Sequence, residues 1–121
     1  MSTEPVDLVG STFDIVEVHG VSVLASSCPD ITFGVDDRVS GRASVNRLMG
    51  QYSIEAGVLR LGALATTMMA GPPELMEQEQ RVLSALGQPL RIETDDDGAV
   101  RLVSDDGAVL LRRQPAVDGA L

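Results

Sequence analysis

"PPELMEQEQRVLSALGQP", residues 72–89, is the one stretch of this sequence whose apolar residues recur at helical spacing. Wound at about 100° per residue, residues 74–86 gather Leu75, Met76, Val82, Leu83 and Leu86 on one face. Glu79 falls in the middle of that face, not on its polar side. Clear signals bracket the segment. Gly71 breaks what precedes it, Pro72 and Pro73 fix φ for the first turn, and Glu74 and Glu77 suit the positive end of the helix dipole. Gly87 and Pro89 end it. One helix is expected, at about 73–86.

Elsewhere the apolar residues alternate with a period of two, as half-buried strands do. Such runs occupy 12–18, 21–24, 31–35, 38–44, 47–54, 58–62 and 64–69 before the helix. Three more follow it, at 90–94, 99–104 and 108–113. In 12–18 the alternation leaves open whether Val16 or Val18 shares a side with Phe13 and Ile15. Turn residues separate the runs, and the echo "DDGAVRLV" from Asp96 and "DDGAVLLR" from Asp105 marks adjacent antiparallel strands joined by tight turns. Eight to ten short strands and one helix imply a mainly β fold, a small antiparallel β-barrel or strongly curled sheet. The helix should pack over one opening or flank. Residues 1–7 read as an N-terminal extension, 8–113 as the domain, and 114–121 as a tail expected to fray.

At 121 residues the chain is one domain's worth, and 44% hydrophobic residues with mean hydropathy +0.13 can build a real core. That core must be mostly aliphatic, since Phe13, Phe33 and Tyr52 are the only aromatics. Net charge is −9, and all nine basic residues are Arg. Such a surface repels phosphate backbones and anionic lipid headgroups, so neither nucleic acid nor a membrane is expected as a partner. A basic protein or a cation would be favoured, although acidity chiefly serves solubility. Cys28 stands alone, which excludes an intramolecular disulfide. No apolar export leader, lipobox or membrane span appears, so with Met1 as the natural start the expected location is the cytoplasm.

The pattern Gly41-x-Ala43-x-x-Asn46-Arg47-x-x-Gly50-x-Tyr52, then Leu64-Ala65-x-Thr67-x-Met69-Ala70, then Glu77-x-Glu79-x-x-x-Leu83, resembles the META domain, the family of the heat-shock protein HslJ. The likeness runs from about Leu8 to Arg112. It implies a barrel of lipocalin-like topology with one helix, a link to stress responses, and no catalytic residues that could be carried over. Three departures stand out. Many members have Trp at the position of Phe13 and Cys at the positions of Val45 and Gly71. The resemblance thus implies that those two cysteines could form a bridge, and their joint loss suits a reducing compartment.

Glu79 is the leading candidate site. A carboxylate on an apolar face costs several kcal/mol unless it is hydrogen-bonded. The expected role is a pin that fixes the helix to the barrel, with Asn46, Arg47, Thr67 or nearby backbone N–H groups as donors; the alternative is a rim position, with the stem buried and the carboxylate in water. A catalytic acid or base is disfavoured because no second acid, base or nucleophile is fixed beside it. Asn46-Arg47 reads as a turn, or as an exposed contact for a partner's carboxylate. Tyr52 belongs to the same motif and is kept as a structural or contact residue. His19 reads as a hairpin residue, and Cys28 as apolar filler or an accessible thiol. Met68, Met69 and Met76 read as adaptable packing at the helix junction. The Asp-rich turns lack the ligand spacing of a calcium loop, and no zinc cluster, phosphate loop or nucleophile elbow is present. The expectation is a non-enzymatic, stress-associated or accessory interaction module, a monomer or weak dimer without cofactor or metal, whose partner is an unknown protein. The alternative is a carrier of a small apolar ligand inside the barrel.

Overall fold

The computed structural model describes residues 8–24, 27–94 and 99–114. The extension 1–7, the tail beyond Gln114 and the turn at 95–98 lie outside the described residues. Ten strands and one helix follow in the order β1(Thr12–Val18), β2(Val21–Ser22), β3(Asp30–Phe33), β4(Arg38–Arg42), β5(Arg47–Glu55), β6(Val58–Leu61), β7(Ala65–Thr66), α1(Pro73–Leu86), β8(Leu90–Thr94), β9(Val100–Ser104) and β10(Gly107–Arg113). All pairings are antiparallel. β1, β3, β4, β5, β6, β8, β9 and β10 pair in sequence order, and β10 returns to β1, closing an eight-stranded barrel. β2 and β7 are two-residue ribs on β1 and β5. The helix is inserted in the β6–β8 connection.

Period-two alternation builds the barrel wall. Along β5, Leu48 and Tyr52 point inward while Arg47, Met49 and Gln51 are exposed. In β1 the register slips between Ile15 and Glu17, a bulge that resolves the ambiguity at its end. Val18 joins Phe13 and Ile15 in the core, and Val16 does not. Two-residue hairpins close β1–β2 at His19-Gly20 and β5–β6 at Ala56-Gly57, each with both residues at positive φ.

The interior is filled by aliphatic side chains around a short aromatic row. Phe13 meets Phe33 edge-on at 6.1 Å between centroids, and Phe33 meets Tyr52 at 5.2 Å. The Tyr52 hydroxyl donates to the Gly34 carbonyl at 2.6 Å, so its polar tip is satisfied inside an apolar setting. Gln114 opens the stretch expected to fray, yet its N–H donates to the Thr12 carbonyl and its amide to Asp14, extending the β10–β1 ladder.

Helix α1 buries Gln78, Glu79, Val82, Ala85 and Leu86, so the stripe is centred nearer Gln78 than its apolar letters suggest. Leu75, Met76 and Leu83 are only half-buried. No side chain caps the N-terminus. Leu75 and Met76 N–H donate instead to the Pro72 carbonyl. Gly87 ends the helix at φ −81°, without the left-handed turn common at that position. No described helix is long and apolar enough to cross a membrane.

Candidate functional site

The contact between α1 and the barrel is built around the β4–β5 turn, residues 43–46. Arg42 and Arg47 are its last paired residues, and the Ala43 N–H donates across it to the Asn46 carbonyl at 2.8 Å. This shape leaves the N–H groups of Val45 and Asn46 pointing the same way, out of the turn and toward the helix. Successive amides so aligned make a small anion-binding concavity. Glu79 fills it. Oε1 accepts from Val45 N at 2.9 Å and Asn46 N at 2.7 Å, and Oε2 accepts from Asn46 Nδ2 at 2.8 Å.

Glu79 is only 3% exposed, so burial opposes its charge. The Asn46 amide and the two backbone N–H groups outweigh that cost and hold its carboxyl below the usual carboxylate range. The side chain is therefore an ionised acceptor with its bonds already made. Asn46 is equally committed. Its Nδ2 also donates to the Met69 carbonyl at 3.0 Å, and its Oδ1 accepts from Thr67 Oγ1 at 2.8 Å and Met69 N at 2.6 Å. Both donors and both acceptor lone pairs of the amide are used. Thr67 Oγ1 in turn accepts from the Arg47 N–H at 3.0 Å.

Gln78, next to Glu79, makes a second polar contact that the apolar pattern alone did not reveal. Its Oε1 accepts from Leu24 N at 2.7 Å, and its Nε2 donates to Ser27 Oγ at 2.5 Å and Ser44 Oγ at 3.2 Å. Two adjacent polar residues thus straddle one turn and pin the connection after β2 as well. The available signal was positional, because Gln78 lies four residues before Val82 and eight before Leu86 on the buried stripe.

Val45 and Gly71 face each other. A Cβ added to Gly71 would lie 3.6 Å from Val45 Cβ and 2.7 Å from Val45 Cγ2. Gly71 leaves the space that the Val45 methyl groups enter. The 3.6 Å separation is within the range of bridged cysteines.

A META domain model matches residues 6–117 of this chain, nearly its whole length. The chain belongs to the META domain family. Two solved structures share its fold. An NMR structure of a protein from Burkholderia xenovorans is 21% identical over 96% of this chain and 94% of that one, with a TM-score of 0.71. A second NMR structure is 24% identical over 92% and 95%, with a TM-score of 0.72. A comparison with curated proteins returns no match. Of the residues that carry the resemblance, Asn46, Thr67, Met69 and Glu79 fall together here in one hydrogen-bonded cluster.

Other candidates stand apart from it. Arg47 contributes its backbone, while its side chain is exposed and does not reach Glu79. Tyr52 lies in the aromatic row. His19 sits in the β1–β2 hairpin at φ 51°, with Nε2 buried and unbonded. Cys28 is exposed, and no metal-holding group of three or more His, Cys, Asp or Glu occurs among the described residues. The packing reading needs correction for Met68 and Met69, while Met76 is half-buried on α1. Met68 is 90% exposed, and Met69 is 55% exposed because Asn46 holds its backbone against the barrel while its side chain extends away from the packed interior.

Proposed function

We propose that this META domain acts as a binding module through its outer surface, as a stress-associated or accessory protein and not as a catalyst. The observation that carries this reading is the burial of Glu79 with both its oxygens engaged by the β4–β5 turn. The one carboxylate buried in the core stripe makes three short bonds to the turn it anchors, two at Oε1 and one at Oε2, and is 3% exposed, so it is committed to the fold and shielded from a substrate. The carrier alternative receives less support, because Phe13, Phe33, Leu48, Leu59, Leu102 and Leu111 pack into the barrel interior at 0–1% exposure. The grooves of about 230 to 700 Å³ are open clefts on the outer wall.

The expected partner is a protein, and the chain itself a monomer or weak dimer. The net charge argues against nucleic acid and anionic membranes. A cytoplasmic setting is the reading that suits Val45 and Gly71, which meet by apolar contact where the resemblance implies cysteines in many members. Cross-linking capture from the native host, with mass spectrometry of bound proteins and co-purified small molecules, tests the reading. A stoichiometric protein partner is expected. A stoichiometric apolar small molecule with no protein would favour the carrier.

A further inference from the structure

We infer that the outer face of the β4–β5 hairpin docks an acidic segment of a partner protein, one that places two carboxylates either side of an apolar side chain. This deepens the binding reading above and rests on it. The first observation is a charge asymmetry. Residues 38–51 contain Arg38, Arg42 and Arg47 and neither Asp nor Glu, whereas the rest of the chain sets six arginines against 18 acidic residues. A positive strip is thus set into a strongly acidic protein.

The register puts all three arginines on the outside. β4 presents Arg38, Ser40 and Arg42, and β5 presents Arg47, Met49 and Gln51, all exposed, while Val39 and Leu48 between them are buried. The facing pairs are Arg38 with Gln51, Ser40 with Met49, and Arg42 with Arg47. Like charges directly opposite on neighbouring strands destabilise a sheet. Neither Arg42 nor Arg47 has an ion-pair partner within 4.0 Å among the described residues, and Arg38 meets Asp36 loosely, at 3.9 Å with both side chains well exposed. Asp30, beside Arg42 on β3, accepts from the Arg42 backbone N–H and attracts the Arg42 and Arg47 guanidiniums through space without an ion-pair contact to either.

Shape agrees with charge. Two clefts, of about 360 and 590 Å³, meet at Ser40 and Met49. Arg42 and Arg47 line the first against the single carboxylate of Asp30, and Arg38 the second beside Asp36, with Met49 51% exposed at the junction. From Arg42 to Arg38 the strand advances about 13 Å. An extended acidic segment with carboxylates four residues apart spans that distance, and the side chain between them lies over Met49. The Arg42–Arg47 pair suits one carboxylate, because each guanidinium can bind it through two N–H groups. β4 is paired on both edges, by β3 and β5, so the partner is read through side chains and not by strand addition.

The test titrates the ¹⁵N-labelled chain with the peptide Gly-Glu-Ser-Leu-Ser-Glu-Gly. Saturating amide shifts confined to residues 38–51 and the adjoining 63–65 are expected. Affinity should fall at least about tenfold between about 20 and 300 mM salt, as screening of exposed charges requires. The double variant Arg42→Gln with Arg47→Gln should also bind at least about tenfold more weakly, with a melting temperature unchanged or raised as the like-charge pair is removed. A lowered melting temperature would assign the arginines a structural role and overturn the proposal. So would no saturable shift at millimolar peptide, shifts centred elsewhere, equal binding of the peptide with Gln for Glu, or tighter binding of a single-stranded oligonucleotide. Cross-linking separates the two levels of inference. If the double variant still captures the wild-type chain's partner, the face is wrong and the binding reading stands; if the wild type yields only a small molecule, the binding reading itself falls.

Discussion

Replacing Val45 and Gly71 together by cysteine tests how the β4–β5 turn meets the start of α1. The separation of 3.6 Å between Val45 Cβ and a Cβ built on Gly71 suits a disulfide without backbone movement. Closing the loop from residue 45 to 71 is worth about 3.5 kcal/mol on the chain-entropy model. Val45 is only half-buried, so exchanging its methyl groups for sulfur costs about 1 kcal/mol. A net gain of about 2.5 kcal/mol remains, which for a domain of this size raises the melting temperature by about 10 °C. The assay uses a Cys28→Ser background, so that the only thiols are the introduced pair. Thiol titration after mild oxidation should find none free, and melting with and without reductant should show the shift. Persistently titratable thiols, or equal melting temperatures in both states, would refute the placement of these two residues.

Gly71→Ala alone should destabilise by about 1–3 kcal/mol, because its Cβ would meet Val45 Cγ2 at 2.7 Å; Val45→Ala in the same chain should relieve most of that loss in thermal melts. Gln78→Leu should cost about 1–3 kcal/mol in urea denaturation despite being more apolar, since the Leu24 N–H and two serine hydroxyls lose their partner. Calcium or zinc at modest excess should leave the melting temperature unmoved, whereas a specific site would add about 2.7 kcal/mol at a hundredfold excess over its dissociation constant. The folded-state acidity of Glu79 is strengthened, so its contribution is fully present above the unfolded carboxylate value of about 4.3 and is lost as pH falls through the lower folded value. Asp30, raised by burial and then by Asp14 against the opposing Arg42 N–H, has the opposite sign, so the acid limb is best measured in an Asp30→Asn chain.

Much of the architecture was legible because it rests on period and punctuation. Alternating runs located every strand of the barrel, and the Pro-Pro to Gly-x-Pro bracket located α1. What failed to show were features set by pairing across the chain. The β1 bulge that turns Val18 inward depends on where β10 places Leu110 and Leu111, which no local window contains. β2 and β7 are shorter than their apolar runs because each finds only two partner residues on the neighbouring strand. The misplaced carboxylate at Glu79 was readable as an acceptor in need of donors. That those donors are Val45 N, Asn46 N and the Asn46 amide, and not the Arg47 guanidinium, follows from the shape of a turn 33 residues away. Gln78 carries a weaker signal, because a neutral amide on a core stripe costs less to bury than a charge and so demands partners less plainly. The neighbouring positions of Val45 and Gly71 came from family resemblance, as periodicity says nothing about which turns touch.

The central claim is that Glu79 holds the helix to the barrel while function resides on the outer surface. Glu79→Gln tests it most directly, since the amide keeps the shape but sets an N–H donor against donors it can no longer satisfy. Urea denaturation should show a loss of about 1–3 kcal/mol, while cross-linking capture of the partner, at a temperature where the variant is folded, should match the wild type. Unchanged stability with capture abolished would contradict the account, for it would make Glu79 a working group of the site and not its fastening.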